Sequence, residues 1–117
     1  MVNGKRILNE KLRSALEKKF RNNLEDEVHL ILFKGLGNEK YEDWCERLLT
    51  ELEELSDKIR TSVFNVLERT ELIEKYEIIS TPTILISPEK GYKIRCTGSP
   101  AGYEAMSFIE TIVAVSK

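Results

Sequence analysis

Between residues 44 and 59, Trp44, Cys45, Leu48, Leu49, Leu52, Leu55 and Ile59 recur at helical spacing, with charged residues between them. This pattern sets an apolar stripe along one face of a long α-helix. A helix with one apolar face must bury it against a second layer. The chain offers short apolar runs at 28–33, 61–66 and 83–87, each bounded by turn residues and strand-like in length. The stripe and these runs together predict an α/β fold.

The remaining segments fit the same alternation. Leu8, Leu12, Ala15, Leu16 and Phe20 predict an amphipathic helix over 9–22. Residues 34–38, with Gly35 and Gly37, read as a loop, and Asn38 is positioned to cap the long helix. Glu39, Glu42 and Asp43 follow near that helix's start, where its dipole favours anions by ~0.3–1 kcal/mol each. Residues 68–76 predict a short helix and 88–91 a turn. Residues 92–97 predict a strand with Tyr92, Ile94 and Cys96 on one face. Gly98 to Gly102 breaks that strand, and 103–115 predicts a last helix with Ala105, Phe108, Ile109, Ile112 and Val113 inward. The order is α-β-α-β-α-β-β-α. The short turn between the last two strands makes them antiparallel. Helices between the earlier strands favour parallel pairing. The 117 residues are expected to form one domain, with 1–7 as an N-terminal extension.

Charge narrows the partners. The net charge of −2 gives no general attraction to nucleic acid or to an anionic membrane. The basic residues between Lys5 and Arg21 read as a solvated helix face. No segment approaches the ~20 apolar residues that span a bilayer, and the N-terminus lacks the apolar run of a secretory signal. Two cysteines, Cys45 and Cys96, do not make a disulfide scaffold, so a cytoplasmic, reducing setting is expected.

Several stretches are more specific than their periodicity. They are Phe33-Lys34-Gly35, the helix end from Leu52 to Lys58, Glu74-Lys75-Tyr76, and the run from Gly98 to Glu104, of which Pro100-Ala101-Gly102-Tyr103-Glu104 is the most distinctive. Together with Thr81-Pro82 ahead of a central strand, they resemble the N-terminal unit of the archaeal and thermophilic protein disulfide oxidoreductases. Those are glutaredoxin-like proteins with two thioredoxin units in tandem. The resemblance runs from about Leu8 to Lys117. It implies a thioredoxin-like fold with a mixed four-stranded sheet covered by helices on both faces. It also implies that Pro82 corresponds to the fold's cis-proline, beside the active-site loop, with Thr81 as a peptide-docking edge. The family's Cys-x-x-Cys falls on Glu39-Lys40-Tyr41-Glu42, where both thiols are replaced by carboxylates.

Disulfide exchange needs an attacking thiolate and a resolving thiol. Carboxylates at the helix head cannot supply either, so no catalytic residue is assigned at positions 39–42. Glu39 and Glu42 read as an exposed first turn with dipole-compatible charge, in preference to a paired-carboxylate proton or metal site, because no histidine or third carboxylate with ligand spacing accompanies them. Cys45, on the apolar stripe, and Cys96, beside Ile94, both read as core. A single-cysteine oxidoreductase acting through one of them is the competing reading. His29 reads as structural. Gly35 and Gly37 lack the Gly-Lys-Ser/Thr of a phosphate loop. No cofactor or metal is implied. The expected function is a redox-inactive module that binds a protein or peptide near Thr81 and Pro82, with Tyr41 and Trp44 contributing apolar contacts. A homodimer, formed through the surface that faces the second unit in tandem relatives, is a further expectation.

Overall fold

The computed structural model describes residues 8–37, 39–90, 95–97 and 103–117, with side chains for 8–37, 39–90 and 107–117. The chain forms α1 (Glu10–Asn23), β1 (Val28–Lys34), α2 (Glu39–Glu54), β2 (Ile59–Asn65), α3 (Glu71–Lys75), β3 (Thr83–Ile86), a 3-10 turn at Pro88–Lys90, β4 (Arg95–Thr97) and α4 (Tyr103–Ser116). The element order is the one read from the sequence. The extension at 1–7, the Asn38 cap, the break at Gly98 to Gly102 and the side chains of Cys96 and Ala105 lie outside the described residues.

The strands lie in the order β2-β1-β3-β4. β1 and β2 are parallel, in register from Val28 opposite Ile59 to Lys34 opposite Asn65. β3 is antiparallel to both β1 and β4. Parallel pairing across the helices therefore holds for β1 and β2 and fails for β3. Residues 66–82, of which α3 takes 5, do not run back along the sheet, and β3 starts from the end where β2 stopped.

Strand alternation divides the core. Val28, Leu30 and Leu32 face one way and join Ile84 and Ile86 against Leu16 and Phe20 of α1, Leu48, Leu49 and Leu52 of α2, and Phe108 and Ile112 of α4. Ile31 and Phe33 face the other way and pack with Leu85, Val66, Leu72 and Ile78 beneath α3. Each fully buried leucine in the larger layer contributes on the order of 1.5–3 kcal/mol.

Two details depart from the periodic reading. Ile59, counted on the α2 stripe, instead opens β2. The last turn of α2 tightens, with the Leu55 N–H donating to Leu52 O at 3.0 Å, and Ser56 O then accepts from the Ile59 N–H at 3.2 Å. A turn thus replaces the next helical repeat. On α1, Leu12 and Ala15 are exposed, and burial narrows to Leu16 and Phe20, flanked by Leu8 and Leu24. Asn9 caps this helix, its side chain accepting from the Leu12 N–H at 2.8 Å.

Candidate functional site

The head of α2 meets two loops, the one leaving β1 and the one entering β3. Glu39 is exposed, as the sequence suggests, but Glu42 is 3% exposed. The reading of Glu42 as part of an exposed turn is therefore corrected. Its position explains the burial: Glu42, Cys45, Leu49 and Leu52 follow one another at steps of three and four, so Glu42 sits at the top of the apolar stripe. That signal is present in the sequence, and the charge of the residue hides it.

Burying a carboxylate is costly unless hydrogen bonds satisfy it. Glu42 Oε2 accepts from the Thr81 hydroxyl and, at 3.1 Å, from the Gly35 N–H. Thr81 Oγ1 in turn accepts from the Leu36 N–H at 2.9 Å. One carboxylate and one hydroxyl thus tie the helix head, the loop after β1 and the turn before β3 into a single polar latch. Thr81 is 2% exposed, Pro82 is buried, and the Thr81–Pro82 bond is cis. The side-chain role of Thr81 is absent from the sequence reading, which singles out only its main chain.

Gly35 is required by the geometry. Its φ is +120°, and a Cβ there would stand 2.5 Å from Asn65 Oδ1. That oxygen accepts from the Leu67 N–H at 2.8 Å, fixing the turn after β2 against the loop. Lys34, just before Gly35, donates to Glu46 Oε1 at 2.8 Å. This hydrogen bond, reinforced by the charges of Glu46, Asp43 and Glu42 and opposed by some desolvation, raises the Lys34 pKa above the ordinary lysine value.

The other predicted residues separate. Tyr41 is exposed, and Trp44 is half-buried against the main core. Leu36 and Ile79 are also exposed. Leu36 is tied to Thr81 through its N–H, and Ile79 lies two residues before Thr81, so with Tyr41 they flank the latch. Cys45 has no exposed surface, in line with its reading as a core residue. His29 joins strands: its Nε2 lies 2.8 Å from Ser62 Oγ of β2, and its Nδ1 lies 3.5 Å from Glu89 in the 3-10 turn. Among the described residues no group of three or more His, Cys, Asp and Glu side chains is arranged to hold a metal ion. No described helix is long and apolar enough to cross a membrane.

No protein-family model and no curated protein sequence matches the chain. Solved structures do. A protein disulfide oxidoreductase from Aeropyrum pernix K1 superposes with a TM-score of 0.81 at 21% identity, over 92% of this chain and 47% of that one. The alkylhydroperoxide reductase AhpF of Enterococcus faecalis superposes with a TM-score of 0.79 at 22% identity, over 94% of this chain and 53% of that one. Chloroplastic thioredoxin z superposes with a TM-score of 0.59 at 21% identity, over 97% of each chain. The chain thus spans about half the length of the first two. Its fold is the thioredoxin fold, similar to that of the archaeal protein disulfide oxidoreductase, in a sequence that contains no Cys-x-x-Cys.

Proposed function

We propose that this chain is a redox-inactive thioredoxin-like module that binds an extended, partly apolar protein segment at the turn around Thr81 and Pro82. The observation that carries this reading is the Glu42 latch. At the motif position nearest the core stands a buried carboxylate, hydrogen bonded to Thr81 and Gly35, and it cannot resolve a mixed disulfide. The exposed side chains of Leu36, Tyr41 and Ile79 around the latch supply the apolar contact, and Ile79 is 88% exposed. The burial of Cys45 counts against single-cysteine chemistry at that residue, because a reactive thiol needs access.

Two measurements test the proposal. A random peptide library displayed against the protein is expected to yield binders that are lost in Ile79→Glu. The unmodified protein is expected to leave insulin disulfides intact in the presence of dithiol. Binders indifferent to Ile79→Glu and Tyr41→Glu would remove the docking surface, and turnover of insulin would remove the inactive assignment. A Glu39→Cys, Glu42→Cys double variant is expected to gain a reversible intramolecular disulfide. Folded protein without one would show that the motif has been placed at the wrong turn.

A further inference from the structure

β2 is an edge strand, and its free side can be worked out bond by bond. The Val28 N–H donates to Lys58 O at 2.7 Å, and the Val66 N–H donates to Lys34 O at 2.9 Å. In a parallel ladder every second residue of β1, here Val28, Leu30, Leu32 and Lys34, bonds to the two residues flanking its opposite number. The register therefore commits the backbone of Arg60, Ser62 and Phe64 to β1 and turns that of Ile59, Thr61, Val63 and Asn65 outward. Part of the outer edge is already occupied. The Ile59 N–H donates to Ser56 O, the Thr61 N–H donates to Glu53 Oε2 at 3.3 Å, and Asn65 O accepts from the Glu68 and Arg69 N–H groups. The Thr61 C=O, both polar groups of Val63 and the Asn65 N–H have no hydrogen-bond partner among the described residues. Edge strands are commonly guarded by proline, lysine or a bulge. Residues 59–65 contain neither proline nor lysine, their register with β1 is unbroken, and their one charged residue, Arg60, has its backbone committed to β1 and pairs with Glu27 at 2.8 Å.

Beside this open stretch lies net negative charge. A cavity of about 310 Å³ at the end of β2 is lined by Lys34, Gly37, Glu39, Asp43, Asn65 and Leu67, among others. Lys34 is taken by Glu46 at 2.8 Å. Glu39 and Asp43 are exposed and make no ion pair within 4 Å among the described residues. We propose that the free edge of β2 accepts an extended peptide as an additional antiparallel strand, and that a lysine or arginine of that peptide lands between Glu39 and Asp43.

We take the antiparallel direction because such pairs are slightly more stable per residue and let the Val63 N–H and C=O both be exchanged with one facing residue. The peptide residue two places N-terminal to that one then stands opposite Asn65, and its side chain projects on the same side of the sheet as Val63 and Asn65. This is the side covered by α2, since Ile59, in phase with Val63 and Asn65, packs with the α2 leucines. The recognised pattern is thus a basic residue, any residue, then an aliphatic one beside Val63, which is 37% exposed. Main-chain bonds give the affinity and the two side chains give the selectivity. This site lies on the β2 side of the loop after β1; its cavity shares Gly35 and Glu42 with the latch, but it does not depend on the function proposed for the turn at Thr81.

The test uses the whole chain and a synthetic peptide, acetyl-Thr-Lys-Thr-Val-Thr-Val-Thr-amide. Its controls are the same peptide with Glu for Lys, and the reversed sequence. Backbone amide NMR is expected to show shifts centred on Val63 and Asn65, with at least 10-fold weaker binding of the Glu peptide and of the reversed peptide. Val63→Pro, which deletes an outward N–H, is expected to abolish binding, and Asp43→Lys to weaken the Lys peptide about 10-fold while both variants keep the wild-type amide spectrum elsewhere. Ile79→Glu is expected to change nothing here, which separates this site from the Thr81 turn. Shifts centred on residues 79–83, equal binding of the Lys and Glu peptides, or an edge occupied by a second copy in sedimentation at NMR concentration would each overturn the proposal.

Discussion

α2 buries two glutamates, nine residues apart, and satisfies them in different ways. Glu42, at the head, is held by neutral donors: the Thr81 hydroxyl and the Gly35 N–H. Glu51, towards the tail and 5% exposed, accepts from the Leu8 N–H at 3.0 Å and faces the Arg13 guanidinium at 3.8 Å. Arg13 also reaches Glu54 at 3.3 Å, while its Nη1 is buried without a hydrogen-bond partner. The tail is thus a charge pair with loose geometry that docks α1, whereas the head is a set of directed hydrogen bonds that closes two loops. Directed bonds demand an acceptor of the right shape. A charge pair demands a charge and tolerates displacement.

This contrast is tested first by truncation. Glu42→Ala leaves a buried hydroxyl and an amide N–H without their acceptor, at roughly 1–3 kcal/mol for each unsatisfied group. The expected loss is about 3 kcal/mol, seen as a melting temperature lower by on the order of 10 °C in calorimetry. Glu51→Ala is expected to cost about 2 kcal/mol, because Glu54 still compensates Arg13. If the two losses prove equal, the head is no more dependent on its acceptor than the tail.

Conservative changes sharpen the contrast at a smaller scale. Glu42→Gln keeps an oxygen that can accept from both neutral donors, so its cost is expected to stay under about 1 kcal/mol. Glu51→Gln keeps the acceptor for Leu8 but removes the charge opposite Arg13, so it is expected to retain most of the alanine effect. Thr81→Val should cost about 1–2 kcal/mol, because the Leu36 N–H loses its acceptor and Glu42 loses one donor. Denaturant midpoints of all three variants measure this order. A glutamine at 42 as damaging as alanine would mean that charge, rather than an acceptor, is what the latch requires.

The fold is legible where one physical rule dominates. The stripe of α2 follows one helical period, the runs at β1 and β3 are short and apolar, and those elements stand where these patterns put them. Reading fails where a local contact overrides the period. Ile59 continues the helical count, but the hydrogen bonds at Ser56 and Leu52 end the helix first. The orientation of β3 depends on the path that residues 66–82 take beside the sheet, and hydrophobic pattern does not encode that path. At the site, the resemblance points to a turn and says nothing of its chemistry. The charge of Glu42 points to solvent while its place on the stripe points to the core, and the stripe wins because donors stand ready there. The Thr81 hydroxyl finds its partner 39 residues away in sequence, which no local pattern reveals.

The smallest expected effect concerns the rim of the same loop. Lys34 donates to Glu46 at 2.8 Å, and the pair is partly solvated, so it contributes only about 0.5 kcal/mol. Its pH dependence is nevertheless directional. The hydrogen bond from Lys34 to Glu46 raises the lysine's folded pKa above its unfolded value. Folding therefore favours the protonated lysine, and this stabilisation is complete below the ordinary lysine range and lost as the pH climbs through the raised folded value. Lys34→Met keeps much of the aliphatic stem and deletes the charge. The difference in stability between wild type and Lys34→Met is expected to stay constant from about pH 7 to pH 9 and to shrink above about pH 10.5, where lysine loses its proton. A difference that grew in that alkaline window would mean that the lysine is held by its hydrocarbon stem and not by Glu46. The rim would then be an apolar contact, set beside a latch made of hydrogen bonds.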